Sequence, residues 1–413
     1  MLFCEELLEQ HPMKCIGGVF IGLDGTMTEP ALKCLIYNTL KPYIHKAIPR
    51  LTDQLLNTLA MEAYCEGLTP DQTHIHVANG TYHLAGCFSE EKRVCLNRLP
   101  VVYDPDAPAP EKWIGFLGDL LYPEDIPTLQ EYMGYCLLPT NRAQRMLLMI
   151  GKGGEGKSRV GLVLRALLGD NMNVTSIQKI EKNAFARADL QNRLLMVDDD
   201  MKVEALPDTN YIKTIVTLEG KMDLERKNRQ SEQGILYCRI MGFGNGTPSS
   251  LYDHSDGFWR RQIILSTKDK DPDREDDPFL IDKLTKELPG ILNWCIAGLE
   301  RLIVNHFKFT ISDRTAANLK QAKEDGNNII PFMHSDGYIR RDASCRTSSK
   351  DLYGAYTQWC DDNAEKPMTA KSFTSFLISR QGEYGIHYTS DILSGGRRVR
   401  GFIGVESLIR SPY

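Results

Sequence analysis

The sequence predicts an α/β fold built on a parallel sheet, with a mainly helical segment before it and a small mixed segment after it. Three observations carry this expectation. Between residues 145 and 300, short apolar runs (RMLLMI, RLLMVDDD, ILYCRIMGFGN, RQIILS) alternate with helical stretches such as SRVGLVLRALLG, and strands alternating with helices imply parallel pairing. A glycine-rich loop, GKGGEGKS, stands between the first apolar run and its helix. From residue 337 the pattern changes to two amphipathic helices followed by a hairpin signal.

Composition is that of a globular chain. Of 413 residues, 42% are apolar and 25% charged, ordinary values for a chain that buries a sizeable core. The net charge of −5 excludes a uniformly basic coat but not local basic strips, which bind phosphates whatever the total. The 11 cysteines include no CxxC pair, which argues against a disulfide framework or a zinc site and for reduced thiols. The start, MLFCEELLEQHPMK, is acidic where a secretory leader is basic. No apolar run approaches the roughly 20 residues of a membrane span. A cytoplasmic protein without a membrane partner is expected.

In chain order, residues 1–75 read as helical, with LTDQLLNTLAMEAYCEGL (51–68) apolar at helical spacing. HIHVANGTYHLAG and RVCLNRLPVVY alternate as short strands do, and Asn79-Gly80 is a hairpin signal. DPDAPAPEK (104–112) is a connector, after which EKWIGFLGDLL and DIPTLQEYMGYCLL read as helices. Residues 285–325 read as helices again. KDLYGAYTQWCDD and MTAKSFTSFLISRQG are helix candidates, and IHYTSDILSGGRRVRGFIGV reads as two strands around Gly395-Gly396.

The glycine-rich loop comprises Gly151, Lys152, Gly153, Gly154, Glu155, Gly156, Lys157 and Ser158 and fits G-x4-G-K-[ST]. Glycines let backbone N–H groups wrap phosphates without Cβ clashes. Lys157 reaches β/γ-phosphates, the Ser158 hydroxyl ligates Mg²⁺, and the following helix points its positive end at the anion. ATP with Mg²⁺ is the expected ligand. A phosphoryl-transfer site also needs acids that hold the metal and orient water. Asp198, Asp199 and Asp200 supply them at the end of an apolar run, and the sequence leaves open which does what. Metal contacts are expected from Ser158, Asp198 and Asp199. Asn245, in GNGTP, can bond the γ-phosphate or attacking water, although Asn-Gly is more often a turn. Arg260, in DGFWRR, can act from a neighbouring subunit as an arginine finger.

The order of these motifs resembles superfamily 3 helicases, and within them the D5-type branch of phage and plasmid primase-helicases. LPVVYDPDAPAPEKWIGFLGDLLYPEDIPTLQEYMGYCLL is similar to the segment that precedes the phosphate loop there. GKGGEGKS matches its Walker A motif, LLMVDDD its Walker B, IMGFGNGTP its motif C with Asn245 as sensor, and DGFWRRQIIL its arginine-finger segment. LEGKMDLERKNRQSEQG is similar to the hairpin that grips single-stranded DNA in the ring's channel, with Lys227 and Asn228 at its tip. Lys221, Arg226 and Arg229 add phosphate contacts that do not discriminate bases. The C-terminal segment is similar to a winged helix, with TAKSFTSFLISR as recognition helix and Lys371, Arg380, Arg397, Arg398 and Arg400 as phosphate contacts. The primase domain that many members carry upstream is not expected within the first 75 residues, which are too few for it.

The resemblance implies three domains: a mostly helical D5-N-like one over 1–140, an AAA+-like P-loop ATPase core over 141–330, and a winged-helix-like one over 337–413. It implies an ATP- and Mg²⁺-dependent DNA helicase of a phage or mobile element, acting in a bacterial host. Its expected partners are single-stranded and forked DNA, further copies of itself in a hexamer, and a separately encoded primase or polymerase. The alternative is an ATP-switched DNA-binding replication initiator or loader that does not unwind.

Overall fold

The computed structural model describes residues 2–44, 46–201, 209–218, 220–227, 230–245, 256–325, 327–365 and 367–409. The chain divides into two compact units. The first comprises Met1–Lys202, Asn210–Gly246 and Arg261–Ala316; the second comprises Val203–Thr209, Thr247–Arg260 and Ala317–Tyr413.

The first unit opens with α1 (Leu2–Gln10), then β1 (Met13–Ile16), β2 (Val19–Gly22) and β3 (Gly25–Met27), then α2 (Glu29–Leu40) and α3 (Ile48–Glu62). The reading of residues 1–75 as helical is corrected by this meander. Its cause is local: Gly17 and Gly18 take φ of 56° and 83°, conformations that glycine adopts without steric cost, and they join Ile16 to Val19 as a two-residue hairpin turn. Strands this short carry too little periodicity to stand out between helices. Cys4, Leu7, Phe20, Leu32, Ile36 and Leu59 form the local core.

β4 (His74–Val77), β5 (Gly80–His83) and β6 (Cys87–Ser89) make a second meander, with Ala78 and Asn79 at the first turn. Gly80 must lack a side chain, because a β-carbon there would stand 2.1 Å from the Ser89 carbonyl oxygen. The stretch RVCLNRLPVVY runs extended beside β4, with Leu99 N–H donating to His76 O and Ala78 N–H to Val101 O. Buried Arg98 fastens the two together by donating to the carbonyls of Val77 and Gly80.

The next helices are α4 (Glu111–Leu120) and α5 (Ile126–Tyr135). The main sheet follows, with β7 (Met146–Ile150), α6 (Lys157–Leu168), β8 (Met172–Val174), α7 (Ile177–Lys182), α8 (Ala184–Ala188), β9 (Leu195–Met201), α9 (Asn210–Thr217), the antiparallel pair β10 (Met222–Leu224) and β11 (Glu232–Gly234), β12 (Arg239–Gly244) and β13 (Gln262–Ser266); α10 (Asp256–Trp259), between β12 and β13 in the chain, belongs to the second unit. Five of these strands form one parallel sheet in the order β13-β7-β12-β9-β8. β7 and β12 are buried along most of their length, which is why their sequences read as continuous apolar runs. Edge strand β8 spans only MNV and is invisible to periodicity. α11 (Leu280–Thr285), α12 (Leu288–Val304) and α13 (Asp313–Asp325) follow. α12 packs closely on α5 because glycines meet backbone: a β-carbon on Gly134 would stand 2.3 Å from Cys295 O, and one on Gly298 2.5 Å from Gln130 O.

The second unit contains α14 (Ile329–Met333), β14 (Ile339–Ser348), α15 (Ser349–Asp362), α16 (Ala370–Ser379), α17 (Gln381–Tyr384), β15 (His387–Ser394) and β16 (Arg397–Ser407). The three strands form an antiparallel sheet in the order β14-β16-β15. Gly395 and Gly396, at φ 54° and 75°, turn β15 into β16. Ser348 and Thr369 cap α15 and α16 by accepting the backbone N–H groups of Asp351 and Ser372. An aromatic core of Phe332, Tyr356, Phe373 and Phe402 holds helices to sheet, with Tyr356 and Phe373 stacked at 4.6 Å. β14 escapes the sequence reading because IRRDASCRTS is mostly exposed and polar.

Candidate functional site

β7 delivers the chain to the carboxyl edge of the sheet between β12 and β13, where the order of connections reverses. Open α/β sheets bind ligands at such a switch point. The loop that leaves β7 follows a path open only to glycine at three positions: Gly153, Gly154 and Gly156 take φ of 109°, 82° and 113°. Gly151 is required for space, since a β-carbon there would lie 2.2 Å from Thr267 Oγ1. Its N–H donates to Gly244 O at 3.1 Å, tying the loop to β12. Gly156 is the N-cap of α6 and offers no side chain to the first turn, so those N–H groups are disposed for an anion.

Lys157 opens α6 and is nearly buried. Its ammonium lies 2.7 Å from Glu155 Oε2, and Glu155 Oε1 accepts the Gly153 N–H at 2.7 Å. Burial pushes the Glu155 carboxyl upward, but the bond from Lys157 and the backbone N–H bonds outweigh it and hold its pKa below the usual range. Around this loop opens a cleft of about 870 Å³, lined by Gly153, Gly154, Glu155, Gly156, Lys157 and Ser158, by Phe116 of α4, and by Asp199, Asp200, Asn245 and Arg274.

The three acids that the sequence left unassigned are separated by a bulge. Asp198 stands opposite Gly242, whereas Met201 stands opposite Gly244, so β9 fits one extra residue into this step. Asp199 and Asp200 are consequently both exposed and line the cleft. Asp198 is buried, and its Oδ2 accepts the Ile177 N–H at 2.8 Å, fixing the start of α7. Burial raises its pKa. Asp198, expected with Asp199 in the reacting and metal-holding set, is turned to the start of α7 and is not among the residues that line the cleft.

Asn245 reaches the loop, with both side-chain termini 3.7 Å from where a Gly153 β-carbon would sit. Arg274 is a residue that sequence reasoning missed. Its two terminal nitrogens donate to Glu155 O at 2.9 Å and Gly154 O at 3.0 Å, clamping the loop from outside. Its only signal was a charged run, DPDREDDP, which reads as solvated surface. Lys152 points away to Asp269 at 2.8 Å.

The remaining candidates lie elsewhere in the fold. On the β10–β11 hairpin, Lys221, Arg226 and Lys227 are exposed, although Arg226 bonds Gln191 and lies 3.9 Å from Glu232. Asn228 and Arg229 lie outside the described residues, as do the motif residues Gly246, Thr247 and Pro248. Arg260 is exposed directly after α10 and belongs to the second unit. In that unit Lys371 of α16 and Arg397, Arg398 and Arg400 of β16 are exposed; Arg398 pairs with Asp391 at 3.1 Å and Arg380 with Glu383 at 3.2 Å.

Chemically, the arrangement fits a nucleoside polyphosphate and a hard cation. A hydroxyl (Ser158) and two carboxylates (Asp199, Asp200) are oxygen donors that suit Mg²⁺, which is commonly held by one or two carboxylates together with substrate phosphates. Among the described residues, no group of three or more His, Cys, Asp or Glu is arranged to hold a metal by itself. No helix among them is long and apolar enough to cross a membrane.

Residues 149–261 match a family of unknown function, DUF5906, a span that runs from the end of β7 to the start of β13. Among solved structures, the chain is similar to the A form apo structure of the NrS-1 C-terminal region, with a TM-score of 0.54 at 11% identity, covering 98% of this chain and 99% of that one. A second structure, of NrS-1 residues 305–718 in the A form, gives a TM-score of 0.52 at 11% identity over 98% of each chain. At that identity the likeness speaks to the fold, which extends over nearly the whole chain.

Proposed function

We propose that this protein is an ATP hydrolase that moves on DNA, unwinding it during replication of a phage or other mobile element. The observation that carries the proposal is the meeting, at one cleft, of a glycine-wrapped lysine, two exposed acids on a strand bulge and an asparagine from the adjacent strand. In this reading the first-turn N–H groups of α6 and Lys157 bind the phosphates, and Ser158 with one of Asp199 or Asp200 holds Mg²⁺. The other acid orients the attacking water, and Asn245 lies beside the terminal phosphate. Bound Mg²⁺ would neutralise charge developing on the phosphates. The exposed cations of the β10–β11 hairpin and of β16 supply sequence-independent backbone contacts. The resemblance in motif order to D5-type superfamily 3 helicases supports this reading; an ATP-switched initiator that binds DNA without unwinding would share the same nucleotide motifs.

The test is Lys157→Ala in an ATPase assay with single-stranded DNA and in unwinding of a forked duplex. Both activities should fall by about a hundredfold or more, as expected when a preorganised charge on the reacting phosphates is removed. Full ATP turnover by Lys157→Ala overturns the nucleotide site. Turnover by the wild type with no strand separation on any fork favours the switch.

A further inference from the structure

We propose that Glu155 is a built-in anion that holds the phosphate-binding groups of the loop until nucleotide displaces it. The inference rests on the nucleotide reading of the cleft and deepens it.

Four observations carry it. The Glu155 carboxylate is almost wholly buried within the loop, at 2% residue exposure, where a glutamate is rarely found unless it is paired. Its Oε2 accepts from the Lys157 ammonium and its Oε1 from the Gly153 N–H, both at 2.7 Å. A lysine and a loop glycine N–H are the donors such a loop offers to phosphate. The carboxylate also lines the cleft, so it faces the space a phosphate would enter. Arg274 fixes the backbone on both sides of this exchange by bonding the carbonyls of Gly154 and Glu155. The loop can therefore keep its shape while the anion on Lys157 changes.

A phosphate that takes Lys157 leaves the Glu155 carboxylate buried next to further negative charge. Both effects, lost partner and new repulsion, favour the protonated acid. Nucleotide binding should then carry a proton onto Glu155. Nothing is oxidised or cleaved; one proton passes from solvent to one carboxylate oxygen. Glu155 acts as a positioning residue through Lys157, setting the affinity for phosphate against a competing internal anion.

The experiment is calorimetric titration of the full chain with ADP, without Mg²⁺, in two buffers of different ionisation heat, for the wild type and for Glu155→Gln. The amide keeps the shape and removes the charge. Near neutral pH, the wild type should take up more protons per ADP bound than Glu155→Gln does, by a fraction of one proton. Glu155→Gln should bind ADP roughly tenfold or more tightly, because one close like charge is removed, and the gap should narrow as pH falls. Equal or weaker ADP binding by a cooperatively melting Glu155→Gln overturns the proposal, as does an unchanged proton count. Glu155→Ala checks the direction if the amide perturbs the loop. If wild type itself binds no ADP, the nucleotide reading fails and takes this inference with it; if wild type binds and Lys157→Ala does not, only the Glu155 result decides.

Discussion

The bulge in β9 makes two adjacent aspartates do what strand alternation forbids. Successive side chains of a regular strand point to opposite faces, so of Asp198, Asp199 and Asp200 the first and third would share one. The extra residue turns Asp199 and Asp200 both outward while Asp198 stays under α7. The roles should separate experimentally. Asp198→Ala removes the acceptor of the Ile177 N–H and should cost about 0.5–2 kcal/mol of stability, the range for losing a helix-start acceptor, read as a lower urea midpoint. Asp199→Asn and Asp200→Asn should leave that midpoint in place and reduce ATP turnover at saturating ATP by about a hundredfold for at least one of them. If Asp198→Ala proves fully stable and inactive instead, the division of labour drawn from the bulge is wrong. No spacing in the sequence distinguishes DDD from an acidic turn, because the register of β9 against β12 is a property of the sheet.

At the scale of elements, the crossing of α5 and α12 is set by two glycines that face backbone. Gly134 and Gly298 each occupy the point where the other helix's carbonyls approach. The contact is further fixed by buried Glu131, which accepts from Arg301 Nε at 2.6 Å and from Thr310. A methyl group at 134 cannot be absorbed by a side-chain rotation, since the nearest atoms are backbone. Gly134→Ala should therefore destabilise the protein by about 1–3 kcal/mol, the usual cost of overpacking, despite alanine's better helix propensity. A denaturant midpoint equal to or above that of wild type would mean that the helices slide apart at little cost. Both helices were legible in the sequence; the purpose of their glycines was not, because only the partner helix gives them one. The same contrast holds for strands. β7, β9, β12 and β13 announce themselves as apolar runs, whereas β8 is too short and β14 too polar to do so.

For the whole molecule, the sequence made the phosphate loop legible because its chemistry is local: glycines, lysine and serine follow one another along the chain. Asp199, Asp200 and Asn245, which meet the loop through space, were legible as short motifs, whereas Arg274, Phe116 and the internal pairing of Glu155 were not. The arginine proposed to complete the reaction, Arg260, is legible in the sequence, but the partner it would act on is not. Arg260 lies in the second unit, after α10, and the proposal that it serves a neighbouring copy makes activity a property of an assembly. Heterologous contacts close into rings in which each interface combines two different surfaces. Lys157→Ala and Arg260→Ala would each disable every interface of a uniform ring. Mixed before assembly, the two variants form some interfaces in which an intact Lys157 meets an intact Arg260, about a quarter of them for random assembly of equal amounts around a ring. ATPase activity should therefore reappear on mixing, at about that fraction of wild type if interfaces act independently, and it should fall on dilution as rings dissociate. Two inactive variants that stay inactive when mixed, alongside wild-type turnover per chain that is the same at every concentration, would place the whole reaction within one protomer and overturn the reading of Arg260 as acting across an interface.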